Sequence, residues 1–124
     1  MTQPLALVLY ERLLPGTQLV NRLQDLGYRV LTVTGVEPLM ASAVREKPML
    51  VLADLVARRM QITEAIARLR QDPATNHLPV IAFADEKDTA LQAAARAAGA
   101  TMVVSEAAIL THLEQFLEQA LQLD

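Results

Sequence analysis

The chain has 124 residues, a formal net charge of −3 and 52% hydrophobic residues, values typical of one domain with an aliphatic core. The acidic balance argues against a nucleic-acid-binding surface, which needs clustered basic residues. The absence of cysteine excludes disulfides and thiolate metal sites. Residues 1–4 do not resemble a signal peptide, and no apolar run approaches the about 20 residues that span a membrane. We therefore expect one cytoplasmic domain over residues 1–124, with no membrane contact.

In chain order, short apolar runs alternate with amphipathic helical patterns five times. The predicted strands cover residues 5–9, 29–34, 49–54, 80–84 and 101–104. The predicted helices begin at Thr17, near Pro38, near Ile62, near Asp88 and just before Ile109. Strict alternation with short connections predicts parallel strands with helices on both faces of the sheet. The expected fold class is α/β, a flavodoxin-like doubly wound (βα)5 three-layer sandwich with strand order 2-1-3-4-5.

The helical patterns carry three detailed expectations. Thr17, which follows a Pro15–Gly16 turn, has a side chain suited to an N-cap. The inner face of the second helix is expected to carry Leu39, Met40, Ala43 and Val44. The end of the chain, through Leu121, is expected to form a single amphipathic helix.

Asp54 ends the apolar run 49–53, which is predicted to be a strand buried on both faces. The carboxyl ends of the strands are where open α/β sheets place their functional groups. Because the predicted order puts the first and third strands side by side, we expect Glu11 to lie next to Asp54. This pair of carboxylates is the strongest candidate site in the sequence.

Five segments in this order resemble the receiver domain of two-component response regulators, and the resemblance covers essentially the whole chain. The segments are Gly27–Val30, Lys47–Asp54, Leu69–Thr75, Leu78–Ile81 and Ala97–Ala100. The resemblance implies that Asp54 is the equivalent of the aspartate that accepts a phosphoryl group from a histidine kinase. It also implies a magnesium site at two adjacent acids after the first strand. Here that pair is Tyr10–Glu11, so only weak magnesium binding at Glu11 and Asp54 is expected.

Four other positions depart from the receiver pattern. Ala84 stands where receivers carry a Ser or Thr, and Glu106 (with Ser105 beside it) stands where they carry a Lys. Ala107 replaces the Pro that usually follows that Lys, and Val103 corresponds to the aromatic switch residue. A phosphoryl group adds a charge of about −1.5 to −2, so a glutamate in place of the lysine opposes its attachment.

The sequence therefore predicts a pseudo-receiver: a non-enzymatic, phosphorylation-independent module that binds a signalling protein or a second copy of itself. The resemblance implies that binding uses the face of helix 4, strand 5 and helix 5, including Ala94 and Val103. Two alternatives remain open. One is a phosphorylatable, magnesium-dependent receiver that uses Asp54, and the other is a flavodoxin-like small-molecule sensor.

The candidate site also carries an energetic expectation. Glu11, Asp54 and Glu106 are expected to form an acidic pocket without a lysine, and Asp54 is expected to hydrogen-bond the loop that follows it. Relief of repulsion would then make Asp54→Asn neutral or stabilising by up to about 1 kcal/mol. Arg58 and Arg59 are expected to be solvated loop charges. His77 and His112 are expected to lie at the surface, without a metal.

Overall fold

A five-stranded parallel sheet lies between two layers of helices, as the alternating pattern predicts. The computed structural model describes residues 3–57 and 61–122. The strands are β1 (Leu5–Leu9), β2 (Arg29–Val33), β3 (Leu50–Asp54), β4 (Val80–Ala84) and β5 (Met102–Ser105). The helices are α1 (Leu13–Asp25), α2 (Val36–Glu46), α3 (Ile62–Gln71), α4 (Thr89–Ala98), α5 (Glu106–Thr111) and α6 (Leu113–Gln122). The strand order is β2-β1-β3-β4-β5, and each neighbouring pair is parallel, which confirms the predicted fold class.

The sheet separates two apolar cores because successive side chains of a strand point to opposite faces. Leu7 and Leu9 of β1 face a core built with α2, α3 and α4, whereas Ala6 and Val8 face a core built with α1, α5 and α6. β1, β3 and β4 are buried along their whole length. This burial on both faces explains why the three strands read as continuous apolar runs rather than as alternating ones.

Helix α1 differs from its prediction at its start. It begins at Leu13, four residues before Thr17, and Leu14 has non-helical backbone angles that kink the first turn. The Thr17 hydroxyl donates a hydrogen bond to the Leu13 carbonyl oxygen (2.7 Å), so Thr17 is not the N-cap. The N-cap residue is Arg12, which makes no capping bond with its side chain. The Arg12 side chain instead forms hydrogen bonds with Asp54 at the end of β3 and with Glu106 at the start of α5.

Two further expectations about helices are wrong. Val44 is 47% exposed, and Ser42 is buried on α2 together with Leu39, Met40 and Ala43. The C-terminal segment forms two helices, because the chain leaves helical geometry at His112, where φ is −120°. The side-chain hydroxyl of Ser105 accepts a hydrogen bond from the Ala108 amide (3.1 Å), so α5 begins directly at the end of β5.

Within residues 3–57 and 61–122, no helix combines the length and apolar character that crossing a membrane requires.

Candidate functional site

The C-terminal edge of the sheet brings Asp54 and Glu106 together through an arginine. Asp54 is the last residue of β3 and is fully buried. Arg12 lies in the connection between β1 and α1. It is near Asp54 because β1 is the direct neighbour of β3. Glu106 is the first residue of α5, immediately after β5. Three elements that are distant in sequence therefore converge on one guanidinium group.

The guanidinium of Arg12 holds both oxygens of the Asp54 carboxylate. Nε of Arg12 donates to Oδ2 of Asp54 (2.9 Å), and Nη2 donates to Oδ1 (2.7 Å). This is the bidentate geometry in which arginine binds carboxylates most specifically. The amide of Val56 also donates to Oδ1 (3.0 Å), so Asp54 does hydrogen-bond the loop that follows β3.

The same guanidinium also contacts Glu106. Nη2 of Arg12 donates to Oε1 of Glu106 (2.6 Å), so this nitrogen is shared between two carboxylates. The side chains of Arg12 and Glu106 are 34% and 33% exposed, whereas that of Asp54 is not exposed at all. We call Arg12, Asp54 and Glu106 the arginine bridge.

The electrostatics of the bridge correct the expected repulsion between the acids. The hydrogen bond to Asp54 raises the pKa of the Arg12 guanidinium above its ordinary value; burial opposes this effect and the contact with Glu106 adds to it. Glu106 does lie near Asp54, since both accept hydrogen bonds from Nη2 of Arg12, but the guanidinium between the two carboxylates offsets their repulsion. The expectation that Asp54→Asn is neutral or stabilising assumed an acidic pocket without a cation, and that assumption is wrong.

Tyr10 contributes to packing at the start of α1. Its ring lies against Gly16, where an added Cβ atom would overlap the ring carbons. Tyr10 is half-buried and packs against the core formed with α1, α5 and α6. Glu11, which lies between Tyr10 and the bridging Arg12, is half-buried. An aromatic ring therefore occupies the position that the resemblance assigns to the first acid.

The remaining predicted positions lie along β4, β5 and α4. Ala84 is fully buried at the end of β4 and offers no hydroxyl there. Val103 pairs with Ala82 in the sheet, is half-buried and packs against the core formed with α2, α3 and α4. Ala94 is exposed on α4, next to the fully buried Ala95.

A charged cleft of about 290 Å³ adjoins Glu106. It is lined by Asp85, Glu86, Lys87, Ser105, Glu106, Ala107 and Leu110. Asp85 accepts a hydrogen bond from the backbone amide of Lys87 (2.9 Å), a local turn contact within this loop. In the described parts of the chain, no three His, Cys, Asp or Glu residues are grouped so that they could hold a metal ion.

Of the other predicted polar residues, His77 and His112 are exposed, and the ring of His112 meets Phe116 edge-on. Arg58 and Arg59 lie outside the described residues.

Arg12 is the residue of the candidate site that the sequence analysis missed. A signal for it was available, because Arg12 directly follows Glu11 at the end of a strand predicted to adjoin β3. The resemblance drew attention to the position of the absent lysine, at the end of β5. The cation is instead supplied from the opposite side of β3.

Comparison with models of protein families gives no match, and comparison with curated proteins gives none. Solved structures do match. The receiver domain of the sensor histidine kinase PA1611 from Pseudomonas aeruginosa PAO1, which has a magnesium ion coordinated in its active site cleft, is 19% identical with a TM-score of 0.86. That match covers 97% of this chain and 98% of that chain.

Two further structures have the same architecture. The receiver domain of NtrX from Brucella abortus is 17% identical with a TM-score of 0.84, and the match covers 96% of this chain and 99% of that chain. The Vibrio cholerae chemotaxis protein CheY4 is 18% identical with a TM-score of 0.83, again over 96% of this chain and 99% of that chain. Together with the strand order, these similarities show that the chain has the fold of response regulator receiver domains.

Proposed function

We propose that this domain is a signalling module of the receiver type that acts through protein–protein interaction without phosphorylation of Asp54. The observation that carries the proposal is the bidentate contact of Arg12 with both Asp54 oxygens. The partner is another signalling protein or a second copy of the domain, and the domain acts in the cytoplasm. No enzymatic role is assigned to it.

The arginine bridge opposes phosphoryl transfer at Asp54. A carboxylate attacks phosphorus through a lone pair on one of its oxygens, and both oxygens here already accept hydrogen bonds from the same guanidinium. Attachment would also place a group of about −1.5 to −2 charge next to Glu106. Ala84 cannot donate a hydrogen bond to the phosphoryl oxygens from its side chain.

Magnesium does not fit this donor set. The ion prefers octahedral oxygen ligation that includes one or two carboxylates. To bind Asp54 it would have to displace a cation that already donates to both carboxylate oxygens at 2.7 and 2.9 Å. The receiver domain of PA1611 holds magnesium in its cleft, whereas in this chain a guanidinium neutralises the β3 aspartate. The positive charge of Arg12, which is already paired with Asp54, thus supports a role without metal-dependent chemistry.

The first prediction follows from this competition. Incubation with acetyl phosphate and magnesium should yield no species heavier by about 80 Da, the mass of the phosphoryl group whose charge opposes attachment here. Intact-mass spectrometry measures the result directly. A receiver domain that accepts phosphate from acetyl phosphate, treated in parallel, serves as the positive control.

The matched variant for that measurement is Asp54→Asn. A stoichiometric adduct that disappears in Asp54→Asn would overturn the proposal and favour the phosphorylatable receiver. An adduct that survives in Asp54→Asn would lie at another residue, and it would leave the proposal for Asp54 intact.

The proposed binding surface is the α4–β5–α5 face, as the resemblance to receivers implies. We define it by β5, α5 and the exposed alanines of α4, which are Ala90, Ala93, Ala94 and Ala97. The small alanine side chains allow close approach by a partner. Val103 is half-buried without the rotational freedom of a large aromatic side chain, which supports a face that needs no modification before it binds.

The second prediction tests this face. Ala94→Glu should abolish self-association or partner capture, because a standard interface buries about 800 Å² per partner and tolerates a central unpaired charge poorly. Ala41→Glu is the matched control, since Ala41 is also an exposed alanine, on α2 above the other half of the sheet. Sedimentation and pull-down measure assembly, and circular dichroism confirms folding.

Val103→Arg is a poorer test, because Val103 packs against the core and its replacement would also disturb folding. If folded Ala94→Glu assembles like the parent protein, binding does not use the α4–β5–α5 face.

A further inference from the structure

The two contacts of the arginine bridge differ in strength. We infer that Arg12 is a one-sided latch on α5, fixed at Asp54 and releasable at Glu106, and that it positions α5 within the α4–β5–α5 face. The inference rests on the proposed function, because it gives that face a means of regulation that does not use phosphorylation. The argument follows from the number of hydrogen bonds at each end and from the exposure of each carboxylate.

The Asp54 end is the fixed end. Two parallel hydrogen bonds join Arg12 to a carboxylate with no exposed surface, and the Val56 amide satisfies a further acceptor position on it. An uncompensated buried charge is strongly destabilising. Separating Arg12 from Asp54 is therefore more costly than separating Arg12 from Glu106.

The Glu106 end is the weak end. A single hydrogen bond connects Nη2 of Arg12 to Glu106, and both side chains are about one-third exposed, at 34% and 33%. Ion pairs that water and salt can reach contribute little and are screened. Nη2 carries two N–H groups and donates one to each carboxylate, so the bond to Glu106 can break while the bond to Asp54 remains. This contact can open without exposing a buried charge.

Helix α5 is short, and its packing against the core formed with α1, α5 and α6 uses Ile109 and the half-buried Leu110. It is six residues long, and Ile109 is its one buried side chain. Helices of this length are marginal without tertiary contacts. The Ser105 cap and the Arg12–Glu106 contact are the side-chain bonds recorded at its start within the described residues. The chain also leaves helical geometry at His112, so α6 does not extend α5 rigidly.

Release of Glu106 should therefore loosen α5 while β3 and the buried carboxylate keep their arrangement. The chemistry that would open the latch is an oxyanion, such as a partner carboxylate, that replaces Glu106 on the guanidinium. High salt weakens the same contact by screening it.

Hydrogen–deuterium exchange of α5 tests the latch. We would compare the parent with Glu106→Gln in about 0.1 M and about 1 M NaCl, where the Debye length falls from about 10 Å to about 3 Å. At low salt, Glu106→Gln should speed exchange of the amides at 108–112 by about two- to five-fold, the range set by a partly exposed ion pair. High salt should bring the parent to the rate of the variant and leave the variant unchanged.

Two further variants separate the latch from other effects. Glu106→Gln also removes a favourable charge from the first turn of a helix, whereas Arg12→Lys does not. Lysine keeps a cation near Asp54 but lacks the planar fork that reaches two carboxylates, so Arg12→Lys should speed exchange of the same amides. Glu37→Gln breaks the exposed Arg68–Glu37 pair between α3 and α2 and should leave α5 unchanged.

The inference is overturned if α5 amides exchange at the parent rate in Glu106→Gln, or if salt affects parent and variant equally. If Glu106→Gln does not fold, the salt response of the parent, localised to α5, still decides the question. The experiment contains no phosphoryl donor, so its failure is distinct from a failure of the proposal that Asp54 is not phosphorylated.

Discussion

Replacing Arg70 by alanine should lower the free energy of unfolding by about 2–4 kcal/mol. A hydrogen bond to a charged group contributes about 1.5–3 kcal/mol, and Arg70 makes four of them at the edge of the sheet opposite Asp54. The expected loss is well below the sum over four such bonds, because Arg70 is only half-buried and water can reach some of the acceptors after its removal. The loss would still be a large share of the stability of a small domain.

The contacts of Arg70 explain the size of the effect. Its Nη1 donates to the carbonyl oxygens of Asn76 (2.8 Å) and Leu78 (2.7 Å), just before β4. Its Nε donates to the carbonyl of Gly99 (2.6 Å), and its Nη2 donates to Oγ1 of Thr101 (2.8 Å), just before β5. One side chain of α3 thus holds the entries to two adjacent strands. Burial lowers the pKa of Arg70 below its ordinary value.

Gly99 is part of this arrangement. It ends α4 with φ +112°, and a Cβ atom there would lie 2.6 Å from Cγ of Arg70. Glycine therefore adopts the positive φ that ends α4 without strain, and its lack of a side chain also leaves room for the aliphatic part of Arg70.

Equilibrium denaturation with urea measures the loss, and the matched control is Arg68→Ala on the same helix. Arg68 pairs with Glu37 at the exposed surface, so its removal should leave the unfolding midpoint almost unchanged. Arg70→Lys should recover only part of the loss, because a compact ammonium group cannot reach all the acceptors that are spread around the planar guanidinium fork. Equal losses in Arg70→Ala and Arg68→Ala would show that the network around Arg70 contributes no specific stability.

The fold was predictable because its strands are buried on both faces. A continuous apolar run such as residues 80–84 is readable without knowledge of its neighbours, and strict alternation with helices restricts the sheet to parallel strands. The predicted boundaries of β1 and β4 agree with the structure, and each boundary that differs in β2, β3 and β5 is off by one residue. Helix periodicity was less informative. It placed Val44 in the core, and it joined α5 to α6 because the break at His112 has no glycine or proline to mark it.

The candidate site was only partly predictable. The position of Asp54 follows from local sequence, since a charged residue ends an apolar strand. The role of Arg12 depends on which strands are neighbours and on the direction in which a long, flexible side chain turns. Residue spacing carries no information about that direction, so the sequence predicted excess negative charge where the structure has a bridged pair.

The sign of the effect of Asp54→Asn should depend on Arg12. Arg12→Ala alone should lower the free energy of unfolding by about 2–4 kcal/mol, slightly below the range for breaking a fully buried pair, because Arg12 is 34% exposed. In the parent, Asp54→Asn should cost about 1–3 kcal/mol, since an amide donor would then face a guanidinium that has only donors. In the Arg12→Ala background, the same substitution should be stabilising by about 1–2 kcal/mol, because it removes a buried charge that has lost its partner.

Urea denaturation of the four proteins gives the coupling between the two residues as a double-mutant cycle. The reversal of sign is more informative than any single value, because a general loss of packing at Asp54 would be unfavourable in both backgrounds. The exposed pair Arg45–Glu46, whose side chains are 67% and 36% exposed, provides a control cycle in which coupling should be close to zero. If Asp54→Asn were stabilising in the parent as well, the contact between Arg12 and Asp54 would not neutralise the buried carboxylate. The barrier to phosphorylation proposed here would then rest only on Glu106 and on the missing hydroxyl at Ala84.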